Sequence, residues 1–152
     1  MINISNKFRS KNYDARTSNI DTIIIHSTHM PLLESIEKLC EASAHVSCHY
    51  IIGIAGDIYN LVDDKHRAWH AGKSFWRGKT GLNDNSIGIE LVDTNDSYII
   101  TDSFSDKQMK SLIELLKQLI STHNIHAHSV LAHSDIAVAR KDDPGEKFDW
   151  KA

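Results

Sequence analysis

Cysteine is scarce in this chain. Only Cys40 and Cys48 are present, too few for the disulfide framework of a small secreted module. They read as two buried thiols, with one local bridge left open because geometry alone decides it. Long apolar runs are also missing. The most compact ones, Ile23-Ile24-Ile25 and Ile51-Ile52 with their neighbours, fall far short of the roughly 20 residues of a membrane span. Positive charge is not in excess, with 17 Lys+Arg against 20 Asp+Glu for a formal charge of −3, and no basic stripe collects along the chain. Nucleic acid is thereby a poor partner, since neutralising phosphates takes clustered cations. The start, Met1-Ile2-Asn3-Ile4-Ser5-Asn6-Lys7, has no apolar stretch behind a basic one. That implies either a cytoplasmic protein or a periplasmic or envelope protein whose signal was removed. Repeats, low-complexity tracts and interdomain linkers are absent, so residues 1–152 read as one domain, with 1–18 as an extended N-terminal segment. Nothing speaks to oligomeric state, and a monomer is assumed.

What is present is the composition of an ordinary globular domain, with 41% apolar and 24% charged residues. Residues 22–26 (TIIIH) are β-branched and nearly all apolar, which predicts a buried central strand ending in a histidine. Leu32, Leu33, Ile36, Leu39 and Cys40 recur at helical spacing behind Pro31, predicting an amphipathic helix over 32–44. Residues 49–54 and 57–62 are β-rich and separated by Ala55-Gly56, the pattern of a hairpin. Residues 69–85 (WHAGKSFWRGKTGLNDN) lack any period and read as a long loop, the kind that tends to carry function. A second buried strand follows over 86–92 (SIGIELV), interrupted by Gly88. Ser105 and Gln108 make a capping-box pattern ahead of Met109, Leu112, Ile113, Leu116, Leu119 and Ile120, a helix whose stripe is core. Residues 129–133 (SVLAH) form a last short strand, and 134–150 are irregular. Strands alternating with helices, plus a hairpin that no all-parallel sheet accommodates, predict an α/β fold with a mixed β-sheet flanked by helices. Sites in such sheets gather at strand ends and in the loops that follow.

Ten histidines are many for such a chain, and most need no metal. Three residues nevertheless stand where a catalytic zinc wants them. His26 and His133 end two strands and Asp143 lies ten residues further on. Two imidazoles and a carboxylate leave a fourth tetrahedral position for water. Spacing alone leaves the commoner arrangement open, namely two hydrogen-bonded core histidines and a turn aspartate before Pro144.

The wording around these residues goes further. Residues 68–81 (AWHAGKSFWRGKTG), 83–91 (NDNSIGIEL), 133–137 (HSDIA), 140–145 (RKDDPG) and the pattern VSxHYIIxxxGxIYxLV over 46–62 together resemble the type 2 zinc-dependent N-acetylmuramoyl-L-alanine amidases. That family includes the peptidoglycan recognition proteins. The resemblance runs from about Asn12 to Trp150, and the words WRG, NDNSIGIE and RKDDPG resemble the AmiD-like branch. It implies one zinc per chain held by His26, His133 and Asp143, where some phage and animal relatives carry Cys as the third ligand. It also implies Glu90 as the catalytic carboxylate, Lys141 as a cation near the substrate carbonyl, and hydrolysis of the amide between N-acetylmuramic acid and L-alanine. The partner would be peptidoglycan, a lipid-linked precursor or a muropeptide. A non-catalytic peptidoglycan-binding protein is the alternative, but it predicts a broken ligand set, whereas here the ligands, Glu90 and Lys141 stand together. An unrelated zinc peptidase would need a His-Glu-x-x-His helix, which the chain lacks.

Physical chemistry supports the two catalytic roles. A lone carboxylate within the apolar run 87–92 is costly to bury without a task or partner. Lys141 also reads as an ordinary solvated cation. His70 is a candidate to stand behind a ligand or to face substrate, whereas His49 reads as structural, between strand and helix. Trp76, Arg77 and Asn83 in the long loop are candidates for sugar or peptide contact, each of which also reads as a surface or packing residue.

Overall fold

Three consecutive isoleucines leave a strand no polar face, so Ile23, Ile24 and Ile25 must be covered from both sides. In the computed structural model, which describes residues 2–152, all three are fully buried on a strand that is not central, as expected, but next to the edge of a six-stranded sheet. Full burial of one such side chain contributes about 1.5–3 kcal/mol. In chain order the strands are β1 (Ile4–Ser5), β2 (Tyr13–Ala15), β3 (Thr22–Ser27), β4 (Tyr50–Ile52), β5 (Ile58–Asn60), β6 (His66–Ala68), β7 (Phe75–Trp76), β8 (Lys79–Thr80), β9 (Ser86–Leu91) and β10 (Val130–Ala132). The helices are α1 (Leu32–Cys40), α2 (Asp106–His123) and the single turn α3 (His133–Ile136).

The main sheet runs β1-β5-β4-β9-β3-β10. Every pair in it is parallel except β4 with β5, the expected hairpin, so the sheet is mixed and flanked by helices as the pattern predicts. The strands β4, β9, β3 and β10 all point the same way and end along one edge.

On one face α2 lays Leu112, Leu115 and Leu119 against Ile23, Ile25, Ile87 and Ile89. The expected stripe is therefore shifted: Leu115 is fully buried, while Met109, Leu116 and Ile120 pack at the margin. Only half of the expected capping box forms. Ser105 Oγ accepts from the Gln108 N–H at 3.1 Å, but the Gln108 side chain is buried and donates instead to the Ile52 and Val92 carbonyls. Two sheet carbonyls next to the helix offer it better partners than the exposed end of the helix does.

On the other face α1 covers Ile51, with Ile36 and Leu39 against Leu61 and Val92. This helix stops at Cys40 rather than Ala44, because Glu41 turns extended (φ −72°, ψ 124°) and Ala42–Ala44 form a separate 3-10 turn. The irregular tail is held by Phe148, buried beside Phe104 with ring centroids 5.8 Å apart, and by Lys147 Nζ, 3.0 Å from the buried Asp93 carboxylate. Both cysteines are free thiols, Cys48 buried and Cys40 half-buried. Among the described residues no helix is long and apolar enough to cross a membrane.

Candidate metal centre and catalytic cleft

The parallel register of β3 with β9 sets His26 directly opposite Glu90, so both side chains rise from the same face at the carboxyl end of neighbouring strands. On the far side of β3, strand β10 stops at Ala132. His133 is thus not a strand end, as expected, but the first residue of α3. The Ala132 N–H donates to Asp135 Oδ2 at 2.8 Å, which turns the chain out of the sheet at that point. Asp143 returns to the same edge, and its carbonyl accepts from the Ser134 N–H at 3.1 Å. These groups line a cleft of about 370 Å³ together with His70, Trp69 and Lys141.

Three donor atoms converge there. His26 Nδ1 and His133 Nδ1 are 3.0 Å apart, and Asp143 Oδ2 lies 3.1 Å from His133 Nδ1 and 3.3 Å from His26 Nδ1. A tetrahedral ion with bonds of about 2.0–2.2 Å spaces its ligand atoms about 3.3–3.6 Å apart, so this triangle would have to open by only a few tenths of an ångström. His26, His133 and Asp143 are the one group among the described residues with ligand atoms so gathered. They are 2%, 4% and 8% exposed, which removes water as the partner for their lone pairs. His133 Nε2 faces the Ala71 carbonyl at 3.2 Å, and His26 Nε2 lies 2.9 Å from His70 Nδ1.

Burial lowers His26 to a pKa of about 4, and the nearby His133 adds to this, so its imidazole is neutral at pH 7. Burial alone would raise Asp143, but its contacts with His133 and His26 hold it well below the usual carboxylate range. A neutral imidazole and an ionised carboxylate are the protonation states a metal ion requires. Glu90 moves the other way. Burial, then the carboxylates of Asp143 and Asp93, push its pKa up to about 8, and its Oε2 is buried without a hydrogen-bond partner.

Other candidates fall into two groups. Lys141 is exposed on the wall of the cleft. His70 lies behind His26, with its second nitrogen, Nε2, 3.2 Å from Ser86 Oγ. Trp76, Arg77 and Asn83 do not line the cleft. Asn83 Oδ1 accepts from the N–H groups of His70 (3.0 Å) and Ala71 (2.7 Å), which is backbone work. Trp76 and Arg77 line a separate, largely apolar groove between β7 and α3, with the Arg77 guanidinium 5.7 Å from the Trp76 ring. The expected long loop holds the β7–β8 hairpin, whose two-residue turn Arg77-Gly78 has positive φ at both positions. His49 is structural, but it packs between strands, with Nδ1 accepting from the Gly88 N–H and Nε2 donating to the His66 carbonyl, each at 3.0 Å.

Sequence reasoning missed Arg140, whose Nη2 donates to the carbonyls of Ala71 (2.8 Å) and Lys73 (2.7 Å) and so ties the loop to the ligand segment. It also passed over the role of Gly88. A Cβ there would meet the His70 ring at 2.4 Å, so the glycine exists to let that ring lie on the sheet. The signal was available, since glycine inside an apolar strand marks a close approach.

Fold and site together define a mixed-sheet α/β domain with a buried two-histidine, one-carboxylate cluster and an orphaned glutamate at the carboxyl edge of its parallel strands. A family profile described as N-acetylmuramoyl-L-alanine amidase matches residues 16–146, and the chain belongs to that family. It is 39% identical over 145 residues to the N-acetylmuramoyl-L-alanine amidase AmiD of Escherichia coli (strain K12), which covers 87% of this chain and 51% of AmiD. The chain thus spans about half the length of the curated relatives it matches. Among solved structures, an AmpD derivative superposes with a TM-score of 0.81 at 29% identity over 96% of this chain and 90% of that one. AmiD from E. coli, in complex with the substrate anhydro-N-acetylmuramic acid-L-Ala-D-gamma-Glu-L-Lys, gives 0.78 at 36% identity over 90% of this chain and 58% of that one.

Proposed function

We propose that this chain is a hydrolase of the amide bond between N-acetylmuramic acid and L-alanine in peptidoglycan or muropeptides, with one zinc ion held by His26, His133 and Asp143. The observation that carries this reading is the convergence of three buried donor atoms beside the unpartnered Glu90 carboxyl. Family membership and the names of the relatives support it.

When bound, zinc acts as a Lewis acid and lowers the pKa of a coordinated water to about 7. The chain's own residues then divide the remaining work. Glu90 Oε2 takes a proton from the attacking water and returns it to the departing alanine nitrogen as the C–N bond breaks, leaving a lactyl carboxylate and a free amine. Glu90 must start ionised. A pKa of about 8 without a cation is compatible with that, because positive charge at the adjacent cluster acts against the burial that raises it. Lys141, free on the cleft wall, supplies its ammonium to the oxyanion that develops on the carbonyl oxygen.

The test is mass spectrometry of products from a defined muropeptide, with and without chelator, for the native chain and for Glu90→Gln. The native chain is expected to release intact peptide with free N-terminal alanine, and to stop when chelated. Glu90→Gln should keep about one zinc per chain and lose roughly 10²–10⁴-fold in turnover. Cleavage elsewhere in the peptide, or full turnover by the variant, would overturn the reading.

A further inference from the structure

Both metal-facing histidines reach the cluster through Nδ1, and both have Nε2 directed at the same short stretch of chain, His70-Ala71. An imidazole offers a lone pair at one nitrogen only when the other nitrogen carries the proton, so whatever stands at Nε2 decides whether Nδ1 can bind a cation. For His133 the answer is direct. A carbonyl such as that of Ala71 only accepts, so Nε2 carries the proton and Nδ1 is left free.

For His26 the answer comes through three groups. The Leu82 carbonyl can only accept, and Ser86 Oγ donates to it at 2.6 Å. The fully buried hydroxyl has then spent its one proton and faces His70 Nε2 as an acceptor, so His70 carries its proton on Nε2. His70 Nδ1 is left with a lone pair, which accepts from His26 Nε2–H, and His26 Nδ1 faces the cluster unprotonated. The direction of the whole chain of bonds is set by one backbone carbonyl.

The supports of this stretch are equally specific. Asn83 Oδ1 accepts from both backbone N–H groups of His70 and Ala71, Arg140 holds the Ala71 carbonyl from outside, and Gly88 leaves the ring its seat on β9.

We propose that His70-Ala71, with Ser86 and the Leu82 carbonyl behind it, sets the tautomers of His26 and His133 and so determines the affinity of the cluster for a divalent transition-metal cation. His70 is then a positioning residue, not a substrate contact. This inference rests on the reading of the cluster as a metal site, and its test keeps the two apart.

Metal-free protein is titrated with zinc against a chromophoric chelator. His70→Ala should bind zinc about 10–100-fold more weakly, the range for groups that orient a ligand from behind. His70→Asn, whose Oδ1 stands where Nδ1 stood and still accepts from His26, should recover most of the loss. Ser86→Ala removes only the hydroxyl that orders the relay and should lie between native and His70→Ala. Far-UV circular dichroism accompanies each titration. If His70→Ala does not fold, the native zinc-loaded protein answers by long-range ¹H–¹⁵N spectra, where His70 should appear as the Nε2–H tautomer. Native affinity in folded His70→Ala, no recovery in His70→Asn, native affinity in Ser86→Ala, or an Nδ1–H tautomer at His70 would each overturn the proposal. Failure of the native protein to bind zinc would instead overturn the reading of the cluster itself.

Discussion

The two faces of β3 and β9 are built from alternate residues of the same strands, yet they follow opposite rules. On the face toward α2, Ile23, Ile25, Ile87, Ile89 and Leu91 meet the leucines of that helix in one continuous apolar layer. The opposite face carries Ile24, His26, Ser86, Gly88 and Glu90 at the alternate positions. Every one of the last four departs from what a buried strand prefers. Glycine in a strand costs about 0.5–1 kcal/mol against alanine, and a buried carboxylate costs more. The first face shows how this sequence reaches stability, and the second shows where stability is given up. Local rules broken together on one face are the expected mark of a functional site.

If the faces are separable, damage to one should leave the other intact. The largest effect expected is from Leu115→Ala on α2, where a fully buried side chain leaves a cavity in the apolar layer. Such truncations cost about 2–5 kcal/mol, a large part of the roughly 5–15 kcal/mol that holds a domain together. Denaturant unfolding should register that loss, while zinc affinity of the folded variant stays within about twofold of native. A tenfold fall in affinity would mean that the two faces are mechanically coupled.

The same comparison explains what could be read from the amino acids alone. The apolar face is periodic, so β3, β9 and α2 are legible from Ile23, Ile25, Ile87, Ile89 and the leucines of the helix. The hairpin β7–β8 has two residues per strand, too short for any period, and only its Arg77-Gly78 turn marks it. The end of α1 at Cys40 rests on the backbone of Glu41, which no pattern announces. For the site, the family wording carried the candidates, but not their arrangement. That His26 faces Glu90 depends on strand register, and that His70 lies behind His26 depends on Gly88. Asn83 reads from the sequence either as a candidate for sugar or peptide contact or as a packing residue. Here the amides it serves are those of the backbone at His70 and Ala71.

A charge on the cleft wall sharpens the comparison from the other side. Lys141 is exposed, so Lys141→Met should leave the unfolding midpoint unchanged. If its ammonium meets the oxyanion, kcat should fall by about 10²–10³-fold, the loss typical of one such donor, with KM nearly constant. Zinc content is measured in parallel, because Lys141 neighbours the Asp143 segment. A raised KM with kcat preserved would reassign Lys141 to anchoring a substrate carboxylate.

The smallest effect concerns His49, which sits at the polar face without belonging to the cleft. Its Nδ1 accepts from the Gly88 N–H, so adding a proton there would set two N–H groups against each other. Burial lowers its pKa to about 4, with the Arg16 guanidinium, 3.0 Å from Nε2, acting in the same direction and Asp64 against it. An unfolded chain returns the residue to about 6.5. Between these two values the unfolded state binds the extra proton and the folded state does not, so stability is fully present above about pH 6.5 and is lost as pH falls toward 4. From pH 7.5 to 5.5 the loss attributable to this residue is on the order of 1 kcal/mol. His49→Asn keeps an acceptor for the Gly88 N–H and cannot titrate. It should be less stable than the native chain at pH 7.5 because the bond to the His66 carbonyl is gone, but its stability should fall less steeply below pH 6.5. Denaturant unfolding of both proteins at several pH values measures the difference. Parallel slopes would show that His49 takes up its proton as readily folded as unfolded, and that the polar face tolerates a charge beneath Gly88.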